Sequence, residues 1–257
     1  MKYESARLSR LERRIVSQAG ELIDRFRLIE PGDRVMACVS GGKDSYALLD
    51  VLLILQRRAP VEFEVVALNL DQGWSGYDQA RVMAWLATKD VEAVAVRRDH
   101  ASVVEEKLGG GPVPCPLCSR LRRGALYDLA VEHRCSKVAL GHHLDDAADS
   151  LLLNLFFNGR LASLPPRMRS KDGRNVVIRP LLAVPEADLI DLAHARGYPM
   201  VRCGCPFVCA SFGERLAVRR MREDLQRRHP RILASIRAAL ANVQPGFLWV
   251  CDDECAT

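Results

Sequence analysis

The sequence has no long apolar run. Its most hydrophobic stretches, such as Leu151 to Phe157, fall far short of the roughly 20 residues a membrane-crossing helix needs. No apolar stretch follows the charges of MKYESARLSRLERR at the start, so that segment does not have the form of a secretory signal. Low-complexity tracts and internal repeats are absent, which removes the usual compositional grounds for disorder or a solenoid. Aromatic residues make up only 6% of the chain, too few to expect a surface that stacks many unpaired bases. These absences lead us to expect a protein that is soluble, intracellular and cytoplasmic, with no membrane association. At 257 residues and 49% hydrophobic composition, it should form one large domain, or one domain with an appended element.

Charge and cysteine are present in quantity. The net charge is +5, carried mainly by Arg, and guanidinium groups pair with phosphates bidentately. Many metabolic enzymes share such a balance, so it only permits a polyanionic partner. Nine cysteines in a chain without an export signal read as metal or redox chemistry rather than a disulfide framework.

Apolar periodicity predicts a helix from Leu8 to Phe26, broken by Pro31-Gly32-Asp33. Strands are expected at Arg34–Val39, Glu62–Leu70, Glu92–Val96 and Lys137–Leu140. Helices are expected at Asp44–Gln56, Gln79–Thr88, Arg120–Glu132 and Asp145–Phe156. This alternation predicts an α/β fold with a doubly wound parallel sheet. Beyond Val184 the pattern turns helical (Pro185–Ala195, Gly213–Arg228, Pro230–Val243), with a short tail after it. The expected division is an N-terminal helix over 1–27, an α/β domain over 28–200 and a cysteine-containing helical extension over 201–257.

Ser40-Gly41-Gly42-Lys43-Asp44-Ser45 lies between a predicted strand and a predicted helix. Glycines there let backbone N–H groups converge on an anion, the helix N-terminus adds its positive end, and Lys43 adds a full charge. The spacing fits neither a Walker loop nor the Rossmann G-x-G-x-x-G. SGGKDS instead resembles the PP-loop of the N-type ATP pyrophosphatases. That resemblance implies a fold of that class, ATP as substrate, and AMP and pyrophosphate as products. Asp71, at the end of the second strand, suits either Mg²⁺ or nucleotide contact, or capping of the next element. In Gly141-His142-His143-Leu144-Asp145-Asp146, Asp145 can cap the helix. The resemblance places His143 at the nucleotide and Asp146 near Mg²⁺ and the phosphates, with Lys43, Asp44 and Asp146 as the catalytic group.

Cys115-Pro116-Leu117-Cys118 is a C-x-x-C ahead of a predicted helix, whose N-terminus is expected to lower the thiol pKa values. Taken alone it fits a redox pair or half a zinc site equally well. A second cluster, Cys203, Cys205 and Cys209, lies far downstream, so a site assembled in space is expected. Zinc on four thiolates is one option for it. Cys38 and Cys135 read as core residues, and Cys251 and Cys255 as surface thiols in the tail.

PCPLCSRLRRGALY, VALNLDQ, ALGHHLDD and LLLNLFFNGRLASLPPRM, in their order along the chain, resemble the tRNA 2-thiocytidine synthetases. The match runs from about Leu28 to Arg202 and resumes near Arg215. It implies a [4Fe–4S] cluster on three cysteines, with an open iron corner to hold the sulfur that is transferred. Cys115 and Cys118 carry over directly. C-G-C-P-x-x-C departs from the family's usual downstream Pro-Cys-x-x-Cys. Cys205 is preferred as the third ligand because related thiolases present theirs as Cys-Pro; Cys209 ranks second and Cys203 third. The implied reaction converts cytidine 32 of a tRNA to 2-thiocytidine, with a desulfurase or sulfide as sulfur donor and a homodimer as an option.

Arg120, Arg122 and Arg123, then Arg160, Arg167, Arg169, Lys171 and Arg174, then Arg219, Arg220, Arg222, Arg227 and Arg228 form basic groups near these segments. They suit phosphate contacts, although solvated helix faces explain the third group better, diluted as it is by Glu214, Glu223 and Asp224. Trp74, in the loop after Asp71, is the aromatic of most interest, with core packing as its commoner role. The rival readings are a uridine thiolase of the same superfamily, an amide-forming PP-loop ligase or amidotransferase, and a non-catalytic metal-bearing tRNA-binding module.

Overall fold

The computed structural model describes residues 8–108, 115–205 and 213–249; the side chains of Cys115 and Pro116 are outside the description. Predicted features at Cys209, Cys251 and Cys255, and most of the tail, lie outside the described residues. The chain runs α1 (Arg10–Arg25), β1 (Arg34–Cys38), α2 (Lys43–Gln56), β2 (Glu64–Asp71), α3 (Gln79–Leu86), β3 (Glu92–Arg97) and α4 (His100–Leu108). It continues through α5 (Cys115–Glu132), β4 (Lys137–Ala139), α6 (Leu144–Phe157), β5 (Arg167–Arg169), β6 (Val176–Ile178), α7 (Glu186–Arg196), α8 (Glu214–Arg228) and α9 (Ile232–Ala241).

The strands form one sheet in the order β3-β2-β1-β4-β6-β5. All neighbours are parallel except β5, which pairs antiparallel with β6. This is the doubly wound sheet expected from the sequence, with one antiparallel edge added. The two strands on that side, RMR and VVI, are only three residues each and give periodicity nothing to act on. Successive connections build outward through β2 and β3 and then return to place β4 on the other side of β1. The carboxyl ends of β1 and β4 therefore flank the switch point where such sheets bind ligands.

Every residue of α2 from Ser45 to Ile54 is buried, so its sequence is apolar on nearly every face rather than amphipathic, and its one buried acid, Asp50, is paired with Lys89 at 2.8 Å. It lies between the sheet and the pair α1 and α7. Leu48, Leu49 and Leu52 are fully buried, and truncating any of them to Ala should cost about 2–5 kcal/mol. α1 opens with a reciprocal Ser9–Glu12 capping box and joins α7 through Arg14 and Asp188, 2.6 Å apart. None of the described helices is long and apolar enough to cross a membrane.

The helices after β6 appear where predicted. α8 docks on α6 through Arg222, which is 2% exposed and donates to Asp145 at 3.0 Å and to Asp149. Arg222 is thus neither a phosphate ligand nor part of a solvated face; it is a buried counter-ion.

Candidate active site

After β1 the chain turns through Ser40, Gly41 and Gly42, and α2 starts at Lys43 with no side-chain cap at its N-terminus. Gly41 has φ +84°, and a Cβ there would come within 2.9 Å of the Val201 Cβ. Ser45 zips the turn closed: its Oγ donates to Gly42 O at 2.7 Å and accepts from Ser40 N at 3.1 Å. The turn and the uncapped helix start leave backbone donors for an anion. Lys43 Nζ lies 2.8 Å from Glu186 Oε1 and 3.1 Å from Asp44 Oδ2. Burial opposes the Lys43 charge, but these carboxylates outweigh it and raise the pKa. Burial raises the Asp44 pKa, with Lys43 and His143 pulling the other way.

The end of β4 faces this loop. A Cβ on Gly141 would lie 2.9 Å from Asp44 O, so only glycine lets the two loops approach so closely. His143 is buried at the start of α6, its amide donating to Asp146 Oδ2 at 3.0 Å. The Asp146 side chain keeps 40% exposure and faces the crevice with His143 and Glu186 nearby. Asp145 does not cap its own helix: it accepts the Glu186 amide at 2.7 Å and thereby caps α7, and it also pairs with Arg222. Burial, assisted by the Arg179 charge, lowers the His142 pKa to about 4, so this imidazole is neutral at ordinary pH.

The end of β2 supplies the third wall. Asn69 is fully buried and donates to Val39 O at 2.7 Å, tying β2 to the phosphate loop. Asp71 is also buried; it accepts from Gly73 N at 2.8 Å and lies 3.7 Å from Arg97. Its role in the structure is to shape the loop. Gln72 Oε1 accepts from the Cys118 thiol at 3.5 Å. Trp74 is 5% exposed and packs with Ala101 and Val104, against which Leu117, Cys118, Leu121 and Cys205 close.

The structure therefore brings two thiols of the predicted set, Cys118 and Cys205, into one apolar pocket. The helix begins at Cys115 rather than after the pair, which places Cys118 in its first turn. Contrary to expectation, the Cys118 pKa is raised: burial outweighs the nearby Arg122 charge. Cys203 is exposed and Cys135 is buried. Burial pushes the Cys38 thiol up to about 12. Among the described residues no three His, Cys, Asp or Glu side chains form a ready metal cage.

The downstream cysteine segment is fixed at two points. Val201 N donates to Gly41 O at 2.9 Å. Gly204, with φ +66°, rests so tightly on the loop after β2 that a Cβ would sit 2.5 Å from Ser75 O.

Glu186, Arg179, the close approach at Gly141 and the clamping role of Arg222 went unnoticed in the sequence. They depend on contacts between distant segments; Gly204, also missed, carried a local hint in its place between Cys203 and Cys205. Of the basic groups, Arg120 and Arg122 are exposed on α5, whereas Arg174, Arg219, Arg227 and Arg228 are engaged by carboxylates.

Residues 11–202 match the model of the PP-loop domain family. The chain is 44% identical over 247 residues to the tRNA-cytidine(32) 2-sulfurtransferase of Hahella chejuensis, covering 95% of this chain and 85% of that protein. It is 48% identical to the enzyme of the same name from Deinococcus radiodurans, covering 93% of this chain and 80% of the other. Among solved structures it resembles the U34-tRNA thiolase NcsA from Methanococcus maripaludis with its [4Fe-4S] cluster. The TM-score is 0.73 at 23% identity, covering 96% of this chain and 85% of that one, a likeness of fold.

Proposed function

The chain belongs to the PP-loop domain family and, within it, to the tRNA-cytidine(32) 2-sulfurtransferases, and from that premise we propose that it replaces the C2 oxygen of cytidine 32 with sulfur at the expense of ATP. The observation that carries this reading is the bond between Val201 and Gly41, which sets the thiol pocket directly beside the phosphate loop. An amide-forming ligase needs no such thiol pocket.

In this reading Ser40, Gly41, Gly42 and Ser45 shape the cradle for the ATP phosphates. Lys43 exchanges Glu186 for phosphate oxygens and offsets the charge that develops on pyrophosphate. Asp44 keeps the Lys43 ammonium in place. Asp146, the exposed carboxylate of the crevice, takes Mg²⁺, with His143 orienting it and Asp71 holding the neighbouring loop against the nucleotide. Attack of the base's C2 oxygen on the α-phosphorus releases pyrophosphate; entry of sulfur at C2 then expels AMP with the former carbonyl oxygen.

Soft thiol donors within apolar walls of Trp74, Val104, Leu117 and Leu121 suit an iron–sulfur group better than a hydrated hard cation. Cys115, Cys118 and Cys205 are the residues that would hold a [4Fe–4S] cluster. Bound on three thiolates, such a cluster supplies an open iron corner for the sulfur to be transferred. The protein's share is to set Cys118 and Cys205 among apolar side chains that keep solvent away. Sulfide or a cysteine desulfurase supplies the sulfur, the enzyme works in the cytoplasm, and a homodimer fits the exposed run Leu155, Phe156, Phe157 and Leu161.

The test is anaerobic reconstitution with iron and sulfide, incubation with tRNA and ATP, and mass analysis of the nucleosides. ATP-dependent 2-thiocytidine is expected. Thiouridine would transfer the chain to the uridine thiolases, and no thiolated nucleoside would defeat the reading.

A further inference from the structure

A cavity of about 390 Å³ opens between the turn after β3 and the outer face of α5. Arg98, His100, Arg120, Leu121, Gly124 and Asp128 line it. Neither Arg98 nor Arg120 has an ion-pair partner among the described residues. The one carboxylate in the wall, Asp128, is drawn to Arg174 at 3.1 Å. His100 presents a buried Nδ1 with no hydrogen-bond partner, and burial together with Arg98 lowers its pKa. Two unpaired guanidinium groups and an imidazole around one concavity amount to an anion site.

The backbone holds this site rigidly. Arg98 N donates to Asp71 O at 2.8 Å, and the amides of His100 and Ala101 both donate to Gln72 O, at 3.1 and 3.0 Å. Gln72 is also the residue whose side chain receives the Cys118 thiol. On the other wall, Leu121 lines the cavity and packs beside Cys118 and Cys205. The cavity and the thiol pocket therefore share both walls.

Their order along the sheet completes the argument. The carboxyl ends of β3, β2 and β1 present, in turn, the basic cavity, the loop that covers the thiols, and the phosphate loop. At ordinary strand spacing β3 and β1 are about 10 Å apart, a span that a short single strand can cover.

We propose that the cavity of Arg98, His100 and Arg120 binds a phosphodiester of the RNA substrate, gripping the strand on the side of the thiol pocket away from ATP. The proposal rests on the tRNA-modifying reading and adds a place for the strand that flanks the target base. Phosphate contacts of this kind set register and orientation and leave base identity to be read elsewhere. A free inorganic phosphate would satisfy the same chemistry, so the experiment separates the two sources.

Binding of an unmodified tRNA transcript is measured across a salt series for the full-length reconstituted protein, for Arg98→Ala/Arg120→Ala, and for Gly124→Glu. The glutamate variant guards against misfolding. Nothing lies within 4 Å of a Cβ at position 124, and the change replaces a helical glycine with a better helix former while placing a carboxylate in the cavity wall. Both variants should bind tRNA roughly tenfold to a hundredfold more weakly. The double variant should lower the slope of log K against log salt by about one to two. Iron content and ATP affinity should remain at wild-type levels. Unchanged tRNA affinity and slope in both variants overturn the proposal while leaving the thiolase reading intact. A site that binds inorganic phosphate, loses it in the double variant and leaves tRNA binding unaltered overturns it as well. If the wild-type protein binds no tRNA, the functional reading falls and takes the proposal with it.

Discussion

The amide of Val201 donates to the carbonyl of Gly41 at 2.9 Å, so the segment carrying Cys203 and Cys205 departs directly from the phosphate loop. Two sites that look independent in sequence, one for phosphate and one for thiol chemistry, therefore share a backbone contact. Residues at that contact should affect both sites, and residues one step away should affect only one.

Lys43→Ala removes a charge from the cradle without touching that contact. ATP-dependent thiolation should fall by roughly 10²–10³ or more, as for other lost transition-state charge contacts, while visible iron–sulfur absorbance persists. Gly41→Ala should instead lower ATP affinity and iron content together. A Cβ there meets Val201 at 2.9 Å, and the residue has φ +84°. Absorbance and nucleotide titration on the same preparations decide the matter. Near-normal turnover of Lys43→Ala would end the phosphate-loop assignment.

The order of the elements was legible because the inner parallel strands are buried on both faces and read as compact apolar runs between helices. Arg34 to Cys38 and Lys137 to Ala139 are of this kind. α4, β5 and β6 went unread. β5 and β6 are three residues each, and α4 follows β3 almost without a break. The site was legible where chemistry is local, as in Ser40 to Ser45. It was illegible where chemistry is made by tertiary contact: no pattern around Glu186 or Arg222 announces that one will face Lys43 and the other will be buried between α8 and α6. The Cys118 pKa failed for the same reason, since a motif shows a helix start but not how deeply the first turn is buried.

Arg222 should matter for stability more than for RNA. It is buried between Asp145 and Asp149, and its removal leaves two carboxylates without their counter-charge. Breaking a buried pair in this way costs about 3–5 kcal/mol. Arg222→Met should lower the denaturation midpoint accordingly, with the salt slope of tRNA binding unchanged. A loss below about 1 kcal/mol would show that the pair is not held as the structure has it.

His142 gives stability a defined pH dependence. Its folded pKa is depressed from 6.5 to about 4 by burial and the neighbouring Arg179 charge. Below 6.5 the unfolded chain takes up a proton that the folded chain refuses, so the contribution is fully present above pH 6.5. It is lost as the pH falls toward 4, and amounts to roughly 3 kcal/mol at most. Unfolding free energy measured from pH 7.5 to 4.5 should show this decline, and His142→Asn should flatten it. An identical profile in the variant would assign the decline to other groups.

The thiol pocket yields the most discriminating substitutions. Cys205 packs with Cys118 against Trp74, whereas Cys203, two residues earlier, is exposed. The two side chains differ in direction because Gly204, at φ +66°, turns the chain between them while resting on the loop after β2. Cys118→Ala and Cys205→Ala should each abolish visible absorbance and iron binding after anaerobic reconstitution, while ATP binding survives; Cys203→Ala should retain the iron. Gly204→Ala keeps every thiol but forces a Cβ to within 2.5 Å of Ser75 O, so the backbone must shift and carry Cys205 with it. It should lose iron as completely as Cys205→Ala does. If Gly204→Ala and Cys205→Ala both keep a full complement of iron while Cys203→Ala or Cys209→Ala loses it, the third thiolate has been misassigned. Should the wild-type protein carry zinc and no iron, the donor set belongs to a structural site instead, and sulfur must reach the base as a cysteine persulfide.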